Sequence, residues 1–232
     1  MIDIKKIIIL ILIIATLYAQ TLASMSKDEK KQLKDKVLEM FDHAFDAYMK
    51  YGYPADELMP LSCKGRYRNA HVSRGDIDEV LGNYTLTLVD SLDTLALLGR
   101  LDEFELAVKN VMQIHFDRDL IVSVFESNIR MIGGLISGHV SLIYLRNNHF
   151  PNRFNWYKNE LLLKAKDLAV RLLPAFNTTT GLPMSRINLK YGVTPNLLAS
   201  EKDKFTCTAC AGTLLLEFAV LSRLTGKFKS YF

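Results

Sequence analysis

The chain has 232 residues, of which 49% are hydrophobic and 23% are charged, and its formal net charge is +4. This length and composition are typical of one globular domain with a buried core. The positive charge is mild and scattered, and no basic run carries interleaved aromatic residues, so the sequence predicts no nucleic-acid partner.

The N-terminus has the order of segments found in a secretory signal. A short basic segment precedes the apolar run 7–18, which is short for a membrane span, and small residues follow it. We therefore predict a signal peptide over residues 1–23, cleaved after Ala23, and a body over residues 24–232 that faces the lumen of the secretory pathway. The alternative is an uncleaved signal that anchors the chain in the membrane.

The cysteines and glycosylation sequons agree with an oxidising compartment. Cys63, Cys207 and Cys210 are the disulfide candidates, and their odd number leaves at least one cysteine without a partner inside the chain. Cys207 and Cys210 either form a local bridge or await distant partners. Asn83 and Asn177 each begin an Asn-X-Thr sequon and are the candidate glycosylation sites.

Helical periodicity begins directly after the predicted signal. Residues 27–50 predict an amphipathic helix, and the loop 51–76 that follows is polar and punctuated by glycine and proline. Segment 84–99 is apolar nearly all round and predicts an inner helix, with Asp90 and Asp93 on one face. These two carboxylates either lie at the solvated end of the helix or belong to a functional site.

The rest of the body continues the alternation of buried and half-buried helices. The predicted elements are an amphipathic helix over 101–115, an inner helix from 123 to about 146, a partly polar helix over 156–173, a short extended excursion within 177–192, and a last inner helix over 207–224, capped by Thr206 and ended by Gly226. Strand signals are sparse and no exact internal repeat is visible. The sequence therefore predicts an all-α protein built of helical hairpins.

The helix that begins near residue 123 carries the most informative pair of charges. Glu126 and Arg130 lie on a narrow polar strip between two apolar stripes of segment 123–138. A helix that is apolar on both flanks is buried, so its acid and its base should face something other than bulk water. The alternative is an ordinary ion pair one turn apart, worth about 0.3 kcal/mol on an exposed helix.

Five ordered motifs resemble the class I α-mannosidases, glycoside hydrolase family 47. They are YPADELMPLSCKGR (53–66), SRGDID (73–78), LVDSLDTL (88–95), VFESNIR followed by GGL (124–135) and CTACAGTL (207–214). The first and last of these are similar to the ER degradation-enhancing α-mannosidase-like branch of that family. The resemblance covers roughly residues 35–232.

The resemblance implies a fold, a reaction and a set of residues. The fold is an (α/α)7 barrel whose inner helices surround a polar pocket, and the reaction is the calcium-dependent, inverting hydrolysis of α-1,2-linked mannose on mannose-rich N-glycans of misfolded glycoproteins in the endoplasmic reticulum (ER), which feeds ER-associated degradation. Glu126 corresponds to the general acid, and Arg130 to an arginine that positions the substrate. Asp90 and Asp93 match an acidic motif in the region of the site.

The sequence departs from the family pattern towards its end. The later hairpins, which carry the other catalytic carboxylates and the threonine that binds calcium, have no counterpart before Phe232. We therefore expect residues 24–232 to form the N-terminal portion of a catalytic domain, the first half of the barrel, with no metal ligand of its own. We expect the isolated chain to be inactive, because one carboxylate cannot act as both acid and base.

Two other interpretations stay open. The chain could be a non-catalytic module that binds glycoproteins or a protein disulfide isomerase through the Cys63 loop and Cys207 and Cys210, or a product that does not fold alone. We also predict that Cys63 pairs with a cysteine outside this chain.

Overall fold

The computed structural model describes residues 8–16 and 25–226. Two compact units are present, Met1–Asp46 and Ala47–Phe232. In the first unit residues 8–16 are helical, whereas the predicted cleavage site after Ala23 lies outside the described residues. Helix α1 (Lys27–Ala47) follows and confirms the first predicted helix of the body.

The second unit is mainly helical, which agrees with the predicted class. Its elements in chain order are a π turn (Tyr48–Gly52), β1 (Glu57–Met59), β2 (Lys64–Arg66), a 3-10 helix (Gly75–Val80), α2 (Leu86–Asp90), α3 (Leu92–Leu97), α4 (Leu101–Val111), β3 (Ile121–Ser123), α5 (Val124–Glu126), a π segment (Ser127–Ile132), α6 (Gly133–Asn148), α7 (Glu160–Leu172), a 3-10 helix (Leu173–Phe176), β4 (Arg186–Asn188), α8 (Pro195–Ala199), a 3-10 helix (Glu201–Lys204), α9 (Thr208–Gly212) and α10 (Leu214–Thr225).

The strands form two small antiparallel ribbons. β1 pairs with β2, and β3 pairs with β4, with Ile121 opposite Asn188. Strand β4 is the predicted extended excursion. The β3–β4 ribbon ends where α5 begins, so it fixes the start of the helix that carries Glu126.

The predicted inner helix over 84–99 is two short helices, α2 and α3, separated at Ser91. The Ser91 hydroxyl donates to the carbonyl of Thr87 at 2.7 Å, a bond that commonly bends a helix. Leu88, Val89 and Leu92 are fully buried, as predicted for an inner element. Gly99, at φ +72, follows α3 and is the predicted stop.

Two glycines let α6 approach α2 and α3 closely. A Cβ at Gly134 would lie 2.9 Å from Val89 Cγ1, and a Cβ at Gly138 would lie 2.9 Å from Leu92 Cδ1. Contacts this short leave no room for any larger residue, so the backbone of α6 packs directly on the inner pair.

The predicted inner helix over 123–146 is continuous but not regular. α5, the π segment and α6 follow one another without a break from Val124 to Asn148. Val124, Met131 and Leu135 are buried as predicted, whereas Ser127 and Asn128 are fully buried polar residues that helical periodicity did not predict. The wider π turn changes which side chains point inward.

Two helix starts differ from the prediction. α7 begins at Glu160 rather than at Trp156, because residues 151–156 form a turn. α9 is capped by Cys207 rather than by Thr206, since the Cys207 Sγ accepts the N–H of Cys210 at 2.9 Å. Cys207 and Cys210 are joined by a disulfide, so the local bridge is the correct alternative, and Cys63 is a free, exposed thiol.

The last helix is buried on one side only. Leu214, Phe218 and Leu221 of α10 are buried, but Leu215 and Leu216 are 54% and 68% exposed. Within the described part of the chain, residues 208–225 are the single helical stretch whose length and hydropathy would suit a membrane span, and core helices of soluble proteins pass the same test. Gly226, at φ +62, ends the helix as predicted.

Candidate active site

Three charged side chains meet at the start of the π segment. Arg130 donates through Nε to Glu126 Oε2 at 2.7 Å and through Nη1 to Asp90 Oδ2 at 3.1 Å. Glu126 and Arg130 belong to the same helical run, whereas Asp90 is the last residue of α2. We call Glu126, Arg130 and Asp90 the cleft triad, and its link to a second helix distinguishes it from a simple ion pair one turn apart.

The local sequence frees the carboxylate of Glu126. Ser123 is the N-cap of α5, and its hydroxyl accepts the N–H of Glu126 at 3.3 Å. The Ser-X-X-Glu spacing is that of a capping box, in which the glutamate side chain would bond back to the N-cap N–H. Here the Glu126 carboxylate pairs with Arg130 instead, so it is directed into the cleft.

The cleft triad lines a cleft of about 380 Å³. The other lining residues are Glu57, Asp76, Ile77, Val80, Leu86 and Thr87. The side chains of Glu126, Asp90 and Arg130 are 31%, 32% and 45% exposed, so a ligand in the cleft can reach all three. A polar cleft with a shielded acid suits proton transfer to a bound substrate.

The cleft triad changes the acid–base behaviour of two of its members. Burial raises the pKa of Asp90, against the opposing effect of its hydrogen bond from Arg130. The hydrogen bond to Glu126 raises the pKa of Arg130, so this guanidinium stays charged.

Of the four residues predicted for the site, the structure brings three together. Glu126, Arg130 and Asp90 share the cleft, whereas Asp93 lies in the first turn of α3 and is not among the cleft-lining residues. Asp90 and Asp93 belong to successive short helices, α2 and α3, and the charge of Asp93 adds to burial in raising the pKa of Asp90.

Sequence reasoning missed two carboxylates that line the cleft, Glu57 and Asp76. Both lie in motifs that carried the family resemblance, and this was the available signal. Arg74 Nη2 donates to Glu57 Oε2 at 2.8 Å and Arg74 Nε to Asp78 Oδ1 at 2.7 Å.

The 3-10 helix that carries Asp76 is fastened through Asp78. Burial alone would raise the pKa of Asp78, but hydrogen bonds from Arg66 and Arg74 hold it well below its usual range. These bonds fix the position of the 3-10 helix at the edge of the cleft.

A further carboxylate contacts the π segment from the last helix. Glu217 on α10 accepts from Asn128 Nδ2 at 2.7 Å. Asn128 is fully buried, and its Oδ1 has no hydrogen-bond partner among the described residues. Because 89 positions separate the two residues, sequence periodicity could not pair them.

The two sequons lie in different surroundings. Asn83 is half-buried, its side-chain oxygen accepts the N–H of Arg68 at 2.8 Å, and the next two residues, Tyr84 and Thr85, are buried. Asn177 is exposed on the surface. Glycosylation at either position stays a prediction.

The fold and the cleft together define a class of protein. A helical scaffold that presents several carboxylates at one cleft is compatible with the paired carboxylates of a glycoside hydrolase. The chain matches the family model "Glycosyl hydrolase family 47" over residues 40–232. The chain belongs to that family.

The curated relatives define the branch. The chain is 54% identical over 205 residues to "ER degradation-enhancing alpha-mannosidase-like protein 3" of Xenopus laevis and 55% identical over 203 residues to the human protein of the same name. These alignments cover 88% and 87% of this chain and 22% of each relative. The predicted ER degradation-enhancing branch is confirmed, and the chain spans about a fifth of the length of these relatives.

A solved structure supports the fold. The chain matches "alpha-1,2-mannosidase from Trichoderma reesei" with a TM-score of 0.63 and 28% sequence identity, over 84% of this chain and 37% of that chain. The predicted all-α class, with the hairpin architecture of that enzyme family, is confirmed.

Proposed function

We propose that the protein carrying this chain hydrolyses α-1,2-linked mannose on the N-glycans of misfolded glycoproteins in the ER lumen and so feeds ER-associated degradation. One observation carries the proposal: the fold brings Glu126, Arg130 and Asp90 from two helices to one cleft. The names of the relatives, which are α-mannosidase-like proteins and an α-1,2-mannosidase, agree with this substrate class.

In the proposed reaction Glu126 is the general acid. Its carboxyl group donates a proton to the glycosidic oxygen as the bond to the anomeric carbon breaks, while water attacks the opposite face of the sugar. Inversion requires a second carboxylate roughly 6.5–9.5 Å from the acid to activate this water. Arg130 orients Glu126 and the substrate, and Asp90 holds the other side of Arg130.

The other carboxylates of the cleft, Asp90, Glu57 and Asp76, are paired with Arg130, Arg74 and Lys202, and we assign the general base to family segments outside this chain. The isolated chain is therefore inactive in this proposal. Residues 1–23 act as the signal and residues 24–232 form the N-terminal portion of the catalytic domain.

Calcium belongs to the proposal for the complete domain. In residues 8–16 and 25–226, no group of three or more His, Cys, Asp or Glu side chains is placed to hold a metal ion. The described residues therefore do not fit a calcium site, and no step of the proposed reaction runs through the ion.

A second candidate function rests on the cysteines. The Cys207–Cys210 bridge has an exposed cysteine, Cys207, and Cys63 is a free exposed thiol. A thiolate of a protein disulfide isomerase can attack the Cys207–Cys210 disulfide and release one of its sulfurs as a thiolate, and the Cys63 thiolate can attack a disulfide of the isomerase in the same way. Either mixed disulfide would make this chain a binding module of the same degradation pathway.

The test is Glu126→Gln in a protein with the complete family domain, assayed on a mannose-rich N-glycan with calcium present. We expect a loss of about 10²–10⁴-fold in kcat, as for removal of a general acid. Glu103→Gln, the same substitution at an exposed position of α4, is the matched control and should keep full activity.

Four results would count against parts of the proposal. Unchanged turnover by Glu126→Gln would remove Glu126 from the acid role. Glycan binding without turnover by the complete domain would favour the binding module. Turnover by the isolated chain that disappears in Glu126→Gln would contradict the predicted inactivity, and turnover unaffected by a chelator would contradict the calcium requirement.

A further inference from the structure

Tyr84 is fully buried next to the cleft and contacts two of its walls. Its hydroxyl donates to the carbonyl oxygen of Val80 at 2.6 Å, and Val80 lines the cleft from the 3-10 helix that carries Asp76. The same hydroxyl lies 3.4 Å from the Ser127 Oγ, and Ser127 directly follows Glu126. Tyr84 therefore contacts two walls of the cleft, the Glu126 wall through Ser127 and the Asp76–Val80 wall through Val80.

The backbone of Tyr84 connects a third segment of the cleft. Its N–H donates to Asp56 Oδ1 at 2.8 Å, and Asp56 is fully buried immediately before Glu57, another cleft-lining residue. The Asp56 carboxylate also accepts the N–H groups of Asn83 and Leu86, at 2.6 and 3.1 Å, which fixes the start of α2 and so the position of Asp90.

The ring of Tyr84 has no freedom to move. The residue is fully buried, its ring packs edge-on against Phe116 at 6.3 Å between centroids, and a Cβ at Gly82 would lie 2.0 Å from its Cε1. Burial raises the pKa of Tyr84 well above its usual range, so the hydroxyl keeps its proton and remains a donor.

We propose that Tyr84 is a positioning residue that sets the spacing between the Glu126 wall of the cleft and the Asp76–Val80 wall. It touches neither substrate nor reacting atoms, and it acts through Ser127 and Val80. A buried side chain that holds two walls by one hydroxyl supplies the support that a site needs to keep its acid in a productive geometry.

The test compares Tyr84→Phe with Tyr157→Phe. Tyr157 is also buried, and its hydroxyl bonds His139 Nδ1 at 2.7 Å, away from the cleft-lining residues. Both changes remove one buried hydroxyl and keep the ring, so we expect similar shifts in the urea midpoint of the full chain. Only Tyr84→Phe should move the amide NMR signals of Ile77 and Glu126.

The kinetic arm rests on the proposed function. In a protein with the complete family domain, Tyr84→Phe should lower kcat about tenfold with little change in KM, because a displaced acid affects the transition state more than substrate binding. Tyr157→Phe should leave kcat unchanged. If the unsubstituted domain has no mannosidase activity, the proposed function fails, but the NMR comparison still decides the role of Tyr84.

Specific results would overturn the inference. If Tyr84→Phe is destabilised like Tyr157→Phe but leaves the signals of Ile77 and Glu126 in place, Tyr84 has only a structural role. If Tyr84→Phe does not fold, the same NMR measurement is made on Ser127→Ala, which removes the hydroxyl that lies next to that of Tyr84. In Ser127→Ala, a shift of the signal of Ile77, on the Asp76–Val80 wall, supports the link through Tyr84, and an unmoved Ile77 signal removes it.

Discussion

Arg130 and Arg186 each bridge two carboxylates from different elements, and their surroundings differ. Arg130 joins its two partners at the cleft, where all three side chains are between 31% and 45% exposed. Arg186, on β4, donates to Asp203 at 2.6 Å and to Glu79 at 2.9 Å. The side chains of Arg186, Asp203 and Glu79 are 20%, 0% and 14% exposed.

The comparison distinguishes a ligand-accessible site, around Arg130, from a structural ion-pair network, around Arg186. The buried network around Arg186 has given up its hydration, so it depends on every partner and fastens the 3-10 helix next to the cleft. Lys202 extends this network by bonding Asp76 and Glu79. The cleft triad keeps part of its hydration, so each of its bonds can be exchanged for a bond to a ligand at small cost.

The largest expected effect on stability follows from removing Asp203. Asp203→Ala leaves the Arg186 charge buried without its closest partner, which costs about 3–5 kcal/mol in systems of this kind. Urea unfolding of the full chain measures the loss. The matched control is Asp90→Ala, which should cost less than about 1 kcal/mol because that ion pair is part-exposed. Equal losses would mean that burial does not distinguish the two arginines.

An effect of intermediate size is expected in how the stability of the chain changes with pH below neutrality. Burial alone would raise the pKa of Asp203, but hydrogen bonds from Arg186 and neighbouring serines hold it below its usual value. The unfolded chain then binds this proton more readily than the folded protein, so the stabilisation is present above about pH 4 and is lost as the pH falls through the folded-state pKa.

The pKa of Asp90 is raised, so its contribution to stability changes with pH in the opposite direction to that of Asp203. The folded protein takes up this proton first, and the contribution of Asp90 to stability increases as the pH falls from neutral towards about pH 4. Urea midpoints measured from pH 7 downwards should therefore decline less steeply in Asp203→Asn than in the unsubstituted chain, and more steeply in Asp90→Asn. Parallel curves for all three proteins would contradict this assignment.

The smallest effect on stability is expected for the centre of the cleft triad itself. Arg130→Met removes both hydrogen bonds of a side chain that is 45% exposed, and it should change the free energy of unfolding by less than about 1 kcal/mol. Arg186→Met, measured in the same way, is the comparison variant, and it should lower the free energy of unfolding several times more than Arg130→Met does. A loss at Arg130 as large as that at Arg186 would make the cleft triad a structural element rather than a prepared site.

Local patterns predicted the parts of the molecule that depend on neighbouring residues. Glu126 and Arg130 are one turn apart, so helical periodicity placed them together, and the glycines after α3 and α10 marked the ends of helices. Asp90 was placed near the pair by the resemblance of its motif. These features need only the geometry of one helix or one motif.

The features that the sequence could not predict join distant positions or depend on irregular backbone. Asp56 bonds backbone groups 27 to 30 positions away, and Lys202 bonds a side chain 126 positions away. No periodicity encodes such pairs, because the turns between them decide which carboxylate meets which cation. The break between α2 and α3 at Ser91 and the π segment also lack a sequence signature.

The π segment has a consequence for the register of the helix that carries Glu126. A π turn accommodates more residues than an α turn, so the turn between Ser127 and Ile132 takes up an extra residue by widening. Because the wide turn absorbs that residue, the helix on either side of it keeps its phase, and Glu126 and α6 face the directions they would have in a regular helix. The irregular turn thus gives Ser127 and Asn128 their buried positions without turning Glu126 away from the cleft.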